Sequence, residues 1–163
     1  MASSETLLIL TPHSFIKPSS NGAAYSSRNA HPVLAYDDTT NENAIASCLM
    51  PQHYAGGGVT VYLHYSMAST TTGTVDWDVA FERIGDQQLD IDADSFASAQ
   101  SVDDTTVPGT SGFVDVVSVA FTDGVQMDSV AAGEAFRIKV TRDAAADDAT
   151  GDAELHRVEI RET

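Results

Sequence analysis

Three aspartates at alternate positions, Asp90, Asp92 and Asp94, form the most metal-like string in the sequence. Carboxylates at this spacing can converge on a hard cation such as Ca²⁺ where the backbone turns. An EF-hand loop would continue with glycine and glutamate where this chain has Ser95 and Ser101. The string is therefore more typical of a solvated loop than of a Ca²⁺ site, which stays open as an alternative. We predict no metal centre and no cofactor.

Other carboxylates and the histidines give weaker signals for catalysis. Asp76, Asp78 and Glu82 share the outer face of one predicted strand. Such a pattern could supply the carboxylate pair of a glycoside hydrolase, but it more often marks the solvated side of a strand. The histidines never fall at the i, i+2 or i, i+4 spacing that places two zinc ligands on one face of an element. They are His13, His31, His53, His64 and His156. We predict that the protein is not an enzyme.

Surface aromatic residues would indicate sugar binding, because an aromatic ring can stack on a sugar ring. Tyr54, Tyr62 and Tyr65 are the candidates. Tyr65 and the single tryptophan, Trp77, fall in the inward phase of their strands. Carbohydrate binding is therefore an alternative function and not the main one.

The elements that must position these residues are β-strands. From about residue 32, apolar and polar residues alternate, and turn residues interrupt the pattern every 8–15 residues, which is typical of an all-β sandwich or barrel. Eight strands are predicted, at about 31–37, 44–50, 59–68, 74–82, 96–103, 113–121, 136–141 and 152–162. Eight strands with long end loops predict an antiparallel jelly-roll β-sandwich.

Local features refine this prediction. The strands at 59–68 and 74–82 are expected to form a hairpin. In the last strand, Leu155 is out of phase with Val158 and Ile160, which predicts a β-bulge near His156–Arg157. Helix is expected only as one or two turns at 124–132 and at 87–94. One core should contain Val61, Leu63, Trp77, Val79, Phe81, Val119, Phe136, Ile138 and Val140.

Length and charge restrict the function. A chain of 163 residues fits one domain, and 24 acidic against 8 basic side chains give a formal net charge of −16. This charge should repel phosphate backbones and anionic membranes, so nucleic acid and membranes are not expected as partners. The apolar run Leu7–Leu10 is far shorter than the ~18 residues of a membrane span, and no secretory signal is expected. The lone Cys48 excludes an intramolecular disulfide.

The first thirty residues differ from the rest. Residues 1–36 hold one acidic and two basic side chains, whereas the remainder holds 23 and six. Residues 1–30 also lack strand alternation, so we predict an extended N-terminal arm, followed by a jelly-roll domain at 31–163. Apolar residues of the arm would anchor it on a neighbouring subunit: Leu7, Leu8, Ile9, Leu10, Phe15 and Ile16. Alternatively, the arm packs on its own sandwich.

The predicted strand at 113–121 is apolar on both faces. An antiparallel strand of this kind needs a second cover, which a helix, the arm or a symmetry mate could provide. The outward residues Val114 and Val116 would lie under that cover. Together with the arm, this strand favours a homo-oligomer.

Four segments can then be considered together: His31–Ala44, Tyr54–Val61, Trp77–Arg83 and Gly151–Leu155. They resemble a group of jelly-roll proteins encoded by tailed bacteriophages and related prophages. The resemblance covers residues 31–162 and leaves the arm outside. It implies a virion structural protein and offers no catalytic residue.

Within that group, the favoured function is a capsid decoration (cement) protein. Such a protein would act as a homotrimer that stabilises the shell of the phage major capsid protein, and it would lie on the capsid surface of the virion. The alternative is a tail fibre or baseplate module that binds a receptor or a carbohydrate.

Overall fold

The computed structural model describes residues 4–163, which form antiparallel β-strands and two short 3₁₀ turns. The strands are β1 (Thr6–Leu10), β2 (Phe15–Ile16), β3 (Ala24–Arg28), β4 (His31–Tyr36), β5 (Glu42–Leu49), β6 (Val59–Met67), β7 (Thr74–Ile84), β8 (Gln100–Thr106), β9 (Asp115–Phe121), β10 (Ala135–Arg142) and β11 (Ala153–Glu162). The 3₁₀ turns are Pro12–Ser14 and Val125–Met127. No helix within residues 4–163 has the length and apolar character needed to cross a membrane.

The strands form two sheets that pack face to face. Sheet A has the order β3-β4-β11-β6-β9, and β1 also pairs with β11. Sheet B has the order β2-β5-β10-β7-β8. The predicted antiparallel jelly-roll sandwich is confirmed, and each of the eight predicted strands is present. The additional strands β1, β2 and β3 all come from residues 6–28.

The predicted boundary between an arm and the sandwich at residue 31 is therefore corrected. Leu8 of β1 pairs with Ile160, Phe15 of β2 pairs with Ala46, and β3 pairs with β4 along its whole length. Residues 4–30 thus contribute to both sheets, while residues 1–3 of the predicted arm lie outside the described residues. Alternation failed to reveal these strands because two of them have five residues and one has two.

Two local predictions also need correction. β6 belongs to sheet A and β7 to sheet B, so the residues between them cross from one sheet to the other and do not form a hairpin. Alternation shows only that each strand has one buried face. Two consecutive strands show the same alternation whether they pair in a hairpin or lie in opposite sheets, so the pattern could not distinguish the two arrangements. The helix expected at 124–132 is one 3₁₀ turn, and 87–94 contains no helix.

The core lies between the sheets and contains all nine residues predicted for it, which are 0–2% exposed. Trp77 is at its centre, with edge-on contacts to Tyr36 at 5.1 Å and Tyr65 at 5.5 Å between ring centroids. Each such pair adds about 0.5–1.5 kcal/mol beyond the burial of area. The core therefore joins sheet A and sheet B through these three rings.

The predicted bulge in β11 is confirmed and determines the surface above it. Leu155 pairs with Tyr65 of β6, and the next paired residue is Arg157, opposite His64. His156 is therefore the extra residue of the bulge. Leu155 and Val158 remain buried, so the bulge turns both intervening side chains, His156 and Arg157, toward the outer face of sheet A.

Candidate binding site

Two adjoining recesses lie on the outer face of sheet A above the bulge, and together they are called the bulge groove. The larger is a cavity of about 370 Å³ between Arg28, His64 and Val114. The smaller, of about 200 Å³, extends toward Ile9 and Pro12. The two recesses share three side chains, which are His31, His156 and Arg157. The larger recess has the volume of a small-ligand site.

Arg157 differs from the other arginines of the chain. Five of the six arginines form ion pairs: Arg28 with Glu154, Arg83 with Glu134, Arg137 with Glu82, Arg142 with Asp147 and Arg161 with Glu159. Within residues 4–163, the exposed Arg157 side chain makes neither an ion pair nor a hydrogen bond. Its planar fork of N–H donors is therefore available to a ligand.

A partly buried chain of hydrogen bonds orients the floor of the groove. The Nε2 atom of His156 lies 2.9 Å from Oγ of Ser66, and that hydroxyl donates to Glu154 Oε2 at 3.2 Å. Because a hydroxyl has one proton, Nε2 of His156 must be the donor to Ser66. Arg28 Nη1 donates to the same Glu154 oxygen at 2.8 Å. Ser66 is completely buried, so the Ser66–His156 pair positions the imidazole and offers no accessible nucleophile.

Two histidines of the groove, His64 and His156, have lowered pKa values. Burial is the main cause of the lowered pKa of His156, and the neighbouring positive charges of Arg157 and Arg28 add to it while Glu154 opposes it. Burial also lowers the pKa of His64, again with a contribution from Arg157. Both imidazoles are therefore neutral at neutral pH. Under those conditions, the unpaired charge of the groove is that of Arg157.

An aromatic platform lies beside the groove on the same face of β6. Tyr62 is two residues from His64, so the two side chains project from the same face of sheet A. The guanidinium carbon of Arg161 lies 4.3 Å from the centre of the Tyr62 ring. Of the three tyrosines considered for sugar stacking, Tyr54 and Tyr65 are buried, and Tyr62 is half-buried at the surface.

The residues predicted to anchor an assembly separate into two groups. Leu7, Leu10 and Phe15 are buried in the chain's own core, which corrects their predicted role as anchors on a neighbouring subunit. Leu8 is partly buried against the same core.

The other four predicted interface residues are exposed: Ile9, Ile16, Val114 and Val116. Within residues 4–163, β9 is an edge strand that pairs only with β6. Val116 of β9 is 48% exposed and Val114, just before β9, is 53% exposed, so the N-terminal strands do not cover either side chain. The role of these four residues in assembly stays a prediction. Ile9 and Val114 also line the bulge groove.

The structure does not bring the three alternate aspartates together as a cation site. Asp94 pairs with Arg137 Nη2 at 2.6 Å, and Asp90 Oδ1 accepts a hydrogen bond from the backbone of Asp92 at 3.1 Å. In the part of the chain that is described, no three His, Cys, Asp or Glu side chains are arranged to hold a metal ion. Among the strand carboxylates, Glu82 is fully buried and pairs with Arg137.

A cleft of about 430 Å³ between the loops at one end of the sandwich is larger than either recess of the bulge groove, and Tyr54 and Asp123 line it. The hydroxyl of Tyr54 donates to Asp123 Oδ1 at 2.9 Å and accepts from the backbone N–H of Gly58 at 3.1 Å. These polar groups thus already form hydrogen bonds with one another. The bulge groove, with its unpaired arginine, is the better candidate for ligand binding.

The sequence indicates His31, His64 and His156 only as possible zinc ligands, and it indicates His156 and Arg157 only as the site of the predicted bulge. These residues come from three strands, so their spacing along the chain carries no signal of a shared site. The phase change at Leu155 was the available signal, because a bulge often re-aims side chains at a functional site.

Known structures with a similar fold include sugar-binding and adhesin domains. A family 35 carbohydrate-binding module from an environmental isolate superposes with a TM-score of 0.56 at 12% identity, over 96% of this chain and 93% of that chain. The C-terminal CBM6 of LamC, a marine laminarinase from Zobellia galactanivorans, gives 0.52 at 12% identity, over 96% and 99%. The K3 cleaved adhesin domain of Lys-gingipain from Porphyromonas gingivalis gives 0.56 at 10% identity, over 96% and 99%.

These similarities establish a shared jelly-roll fold. No protein-family model matches the sequence, and no curated protein is significantly similar to it. The three structures do not bear on a capsid role, so the cement function, the homotrimer, the major capsid partner and the virion location stay predictions.

Proposed function

We propose that the protein is a carbohydrate-binding module that holds a glycan in the bulge groove without catalysing a reaction on it. The observation that carries the proposal is the pair of consecutive side chains, His156 and Arg157, that the bulge presents to one open groove. Next to them lies the exposed apolar side chain of Val114, and the half-exposed ring of Tyr62, which Arg161 contacts, lies further along β6.

This mixture of groups suits the surface of a sugar ring. A pyranose has hydroxyl groups around its edge and apolar C–H groups on its faces. Arg157, His31 and Asn29 can hydrogen-bond hydroxyl groups, while Val114 offers an apolar contact. The groove is open at the surface, as binding to a section of a long chain requires.

The fold supports the proposal at the level of architecture. Two of the three similar structures named above are carbohydrate-binding modules. The identities are 12% in both cases, so these two structures support the class of function only. The ligand has to be inferred from the residues of the groove.

Affinity electrophoresis through gels that contain single polysaccharides tests the proposal. The panel should include neutral β-glucans, mannans, xylans and galactans together with acidic polysaccharides. At least one of them should retard the protein, and Arg157→Ala and Tyr62→Ala should each weaken that retardation tenfold or more. Lys17→Ala provides the control, because it removes one exposed positive charge in the loop that follows β2 of sheet B.

Two outcomes would overturn the proposal. The first is that no polysaccharide retards the protein while circular dichroism shows it to be folded. The second is that a polysaccharide binds with equal strength to the wild type, Arg157→Ala and Tyr62→Ala, because the glycan would then bind elsewhere.

A further inference from the structure

The charge of the bulge groove is opposite to that of the whole protein. The chain has a formal net charge of −16. On the groove's surface, however, Glu154 is neutralised by Arg28 and Glu159 by Arg161, at 2.8 Å in each pair. Arg157 is left as the one guanidinium of residues 4–163 without a carboxylate partner. The groove is thus a local positive site on an acidic protein.

An anionic group is the natural partner for such a guanidinium. The planar fork of arginine matches the geometry of carboxylate and sulfate oxygens, and two parallel charge-assisted hydrogen bonds are stronger than bonds to neutral hydroxyl groups. Arg157 lies between both recesses, beside His31 and His156. A sugar that occupied either recess could therefore direct an acidic substituent at it.

We propose that the bulge groove selects sugars that carry a carboxylate or sulfate group, that Arg157 binds this group, and that His64 and His156 take up protons when it binds. This inference rests on the proposed function and adds the chemical class of the ligand. Carboxylate and sulfate share the chemistry that Arg157 recognises, and probes that carry only one of the two groups separate them.

The positions of the two histidines explain the proton uptake, because His64 and His156 line the larger recess together with Arg157, and Arg157 pairs directly with His64 across β11 and β6. Arg28 on β3, His31 on β4 and Arg157 on β11 all disfavour the positive charge of His156, whereas Glu154 favours it. A bound anion would offset those three positive or protonatable neighbours. Protonation of His156 then becomes less costly, and anion binding should be tighter at low pH.

His64 has a similar environment on the other side of Arg157. Arg157 and Arg161 on β11 disfavour its positive charge, and Glu159 favours it. On β9 the residue opposite His64 is the uncharged Val116. An anion near Arg157 would offset the same unfavourable charge.

The overall negative charge does not prevent this binding. At physiological ionic strength, charges more than about 8 Å apart at the surface are largely screened from one another. The ligand therefore experiences mainly the groove, although a long polyanion should bind less tightly when salt is reduced and repulsion from the rest of the chain increases.

Titration calorimetry at 0.15 M salt with two matched pairs of probes tests the inference. Polygalacturonate against its methyl ester isolates the carboxylate, and dextran sulfate against dextran isolates the sulfate. One acidic probe should bind at least tenfold more tightly than its neutral partner at pH 5.5, and this ratio should be smaller at pH 7.5. Arg157→Gln should abolish the ratio, His64→Asn should reduce its pH dependence, and Lys17→Gln should change neither.

The possible failures are distinct. If an acidic probe and its neutral partner bind equally, or if Arg157→Gln keeps the preference, the anionic specificity is wrong while the proposed glycan binding stands. If the preference exists but does not change between pH 5.5 and 7.5, the role of the histidines is wrong. If neither these probes nor the neutral panel binds, the proposed function fails as well.

Discussion

Both carboxylate oxygens of Asp147 accept hydrogen bonds from the guanidinium of Arg142, at 2.7 Å from Nε and 3.1 Å from Nη2, and their side chains are 1% and 0% exposed. The same guanidinium donates to the backbone carbonyls of Ala149 at 2.6 Å and Gly151 at 2.8 Å. These bonds fix the segment that crosses from β10 in sheet B to β11 in sheet A.

Breaking this pair should strongly destabilise the protein. Arg142→Met leaves the Asp147 carboxylate buried without its counter-charge, and such changes cost about 3–5 kcal/mol. The double variant Arg142→Met, Asp147→Leu should recover part of the loss because it removes both charges. Urea unfolding of the wild type and both variants measures the difference. A loss below about 1 kcal/mol for the single variant would contradict the structural role of the pair.

The N-terminal strands should be necessary for folding. Phe15→Ala should lower the free energy of unfolding by about 3–5 kcal/mol, because Phe15 is 1% exposed in the core. The neighbouring Ile16→Ala is the matched control. Ile16 is 71% exposed, so its truncation should cost no more than about 0.5 kcal/mol. Chemical unfolding compares the two variants, and equal effects would contradict the placement of β2.

Deletion of residues 1–30 extends this test. It removes the buried Leu7, Leu10 and Phe15, each worth about 1.5–3 kcal/mol of burial, from a domain whose total stability is about 5–15 kcal/mol. The truncated protein should lose its cooperative thermal transition. A truncated protein that still melted cooperatively would instead support the separate arm that the sequence predicted.

The difference between β7 and β2 shows which strands can be predicted from the sequence. In β7, inward Trp77, Val79 and Phe81 alternate with outward residues that are mostly acidic, so the pattern predicts both the strand and its buried face. β2 has two residues, and its burial depends on pairing with the distant β5. The pairing of strands across the sandwich, and hence the assignment of β6 and β7 to different sheets, is a long-range property that local alternation does not encode.

Part of the candidate site could also be predicted from the sequence. The phase change at Leu155 predicted the bulge, because a two-residue period has to break where one residue is inserted. The groove forms because β11 lies between β4 and β6 in sheet A. Arg28 of β3 and His31 of β4 therefore line one side of the groove, and His64 of β6 lines the other. No sequence pattern joins those positions. The fact that Arg157 lacks a carboxylate partner also requires the positions of all the acidic side chains.

Asp78→Asn should stabilise the protein at neutral pH. Burial raises the pKa of Asp78, and the nearby carboxylates of Asp143, Asp103 and Asp76 raise it further. The folded state therefore disfavours the ionised form, and a neutral amide relieves that cost. The gain should be about 0.5 kcal/mol at most and should disappear in acid, where the carboxyl group of Asp78 is protonated.

Thermal melts at pH 7 and pH 3 measure the effect of Asp78→Asn. Asp86→Asn is the control, because it removes the same charge at an exposed position in the loop after β7. An equal rise in Tm for both variants would attribute the effect to the net charge of the chain and not to the cluster around Asp78.

Acid should weaken the folded state through His64 and His156 of the groove. The folded-state pKa values of His64 and His156 lie below the usual value near 6.5, mainly because of burial. The unfolded chain therefore binds more protons as the pH falls below about 6.5, and the stability present above that pH is lost as the pH falls through the folded pKa values. Urea unfolding between pH 7.5 and 5.0 measures the slope of the free energy of unfolding against pH.

His64→Asn should make this slope shallower, since it removes one of the two groups responsible. An unchanged slope would show that the protonation of His64 is not linked to folding. If an acidic glycan binds as proposed, a saturating concentration should also reduce the slope of the wild type, because the bound anion makes protonation of both histidines less costly.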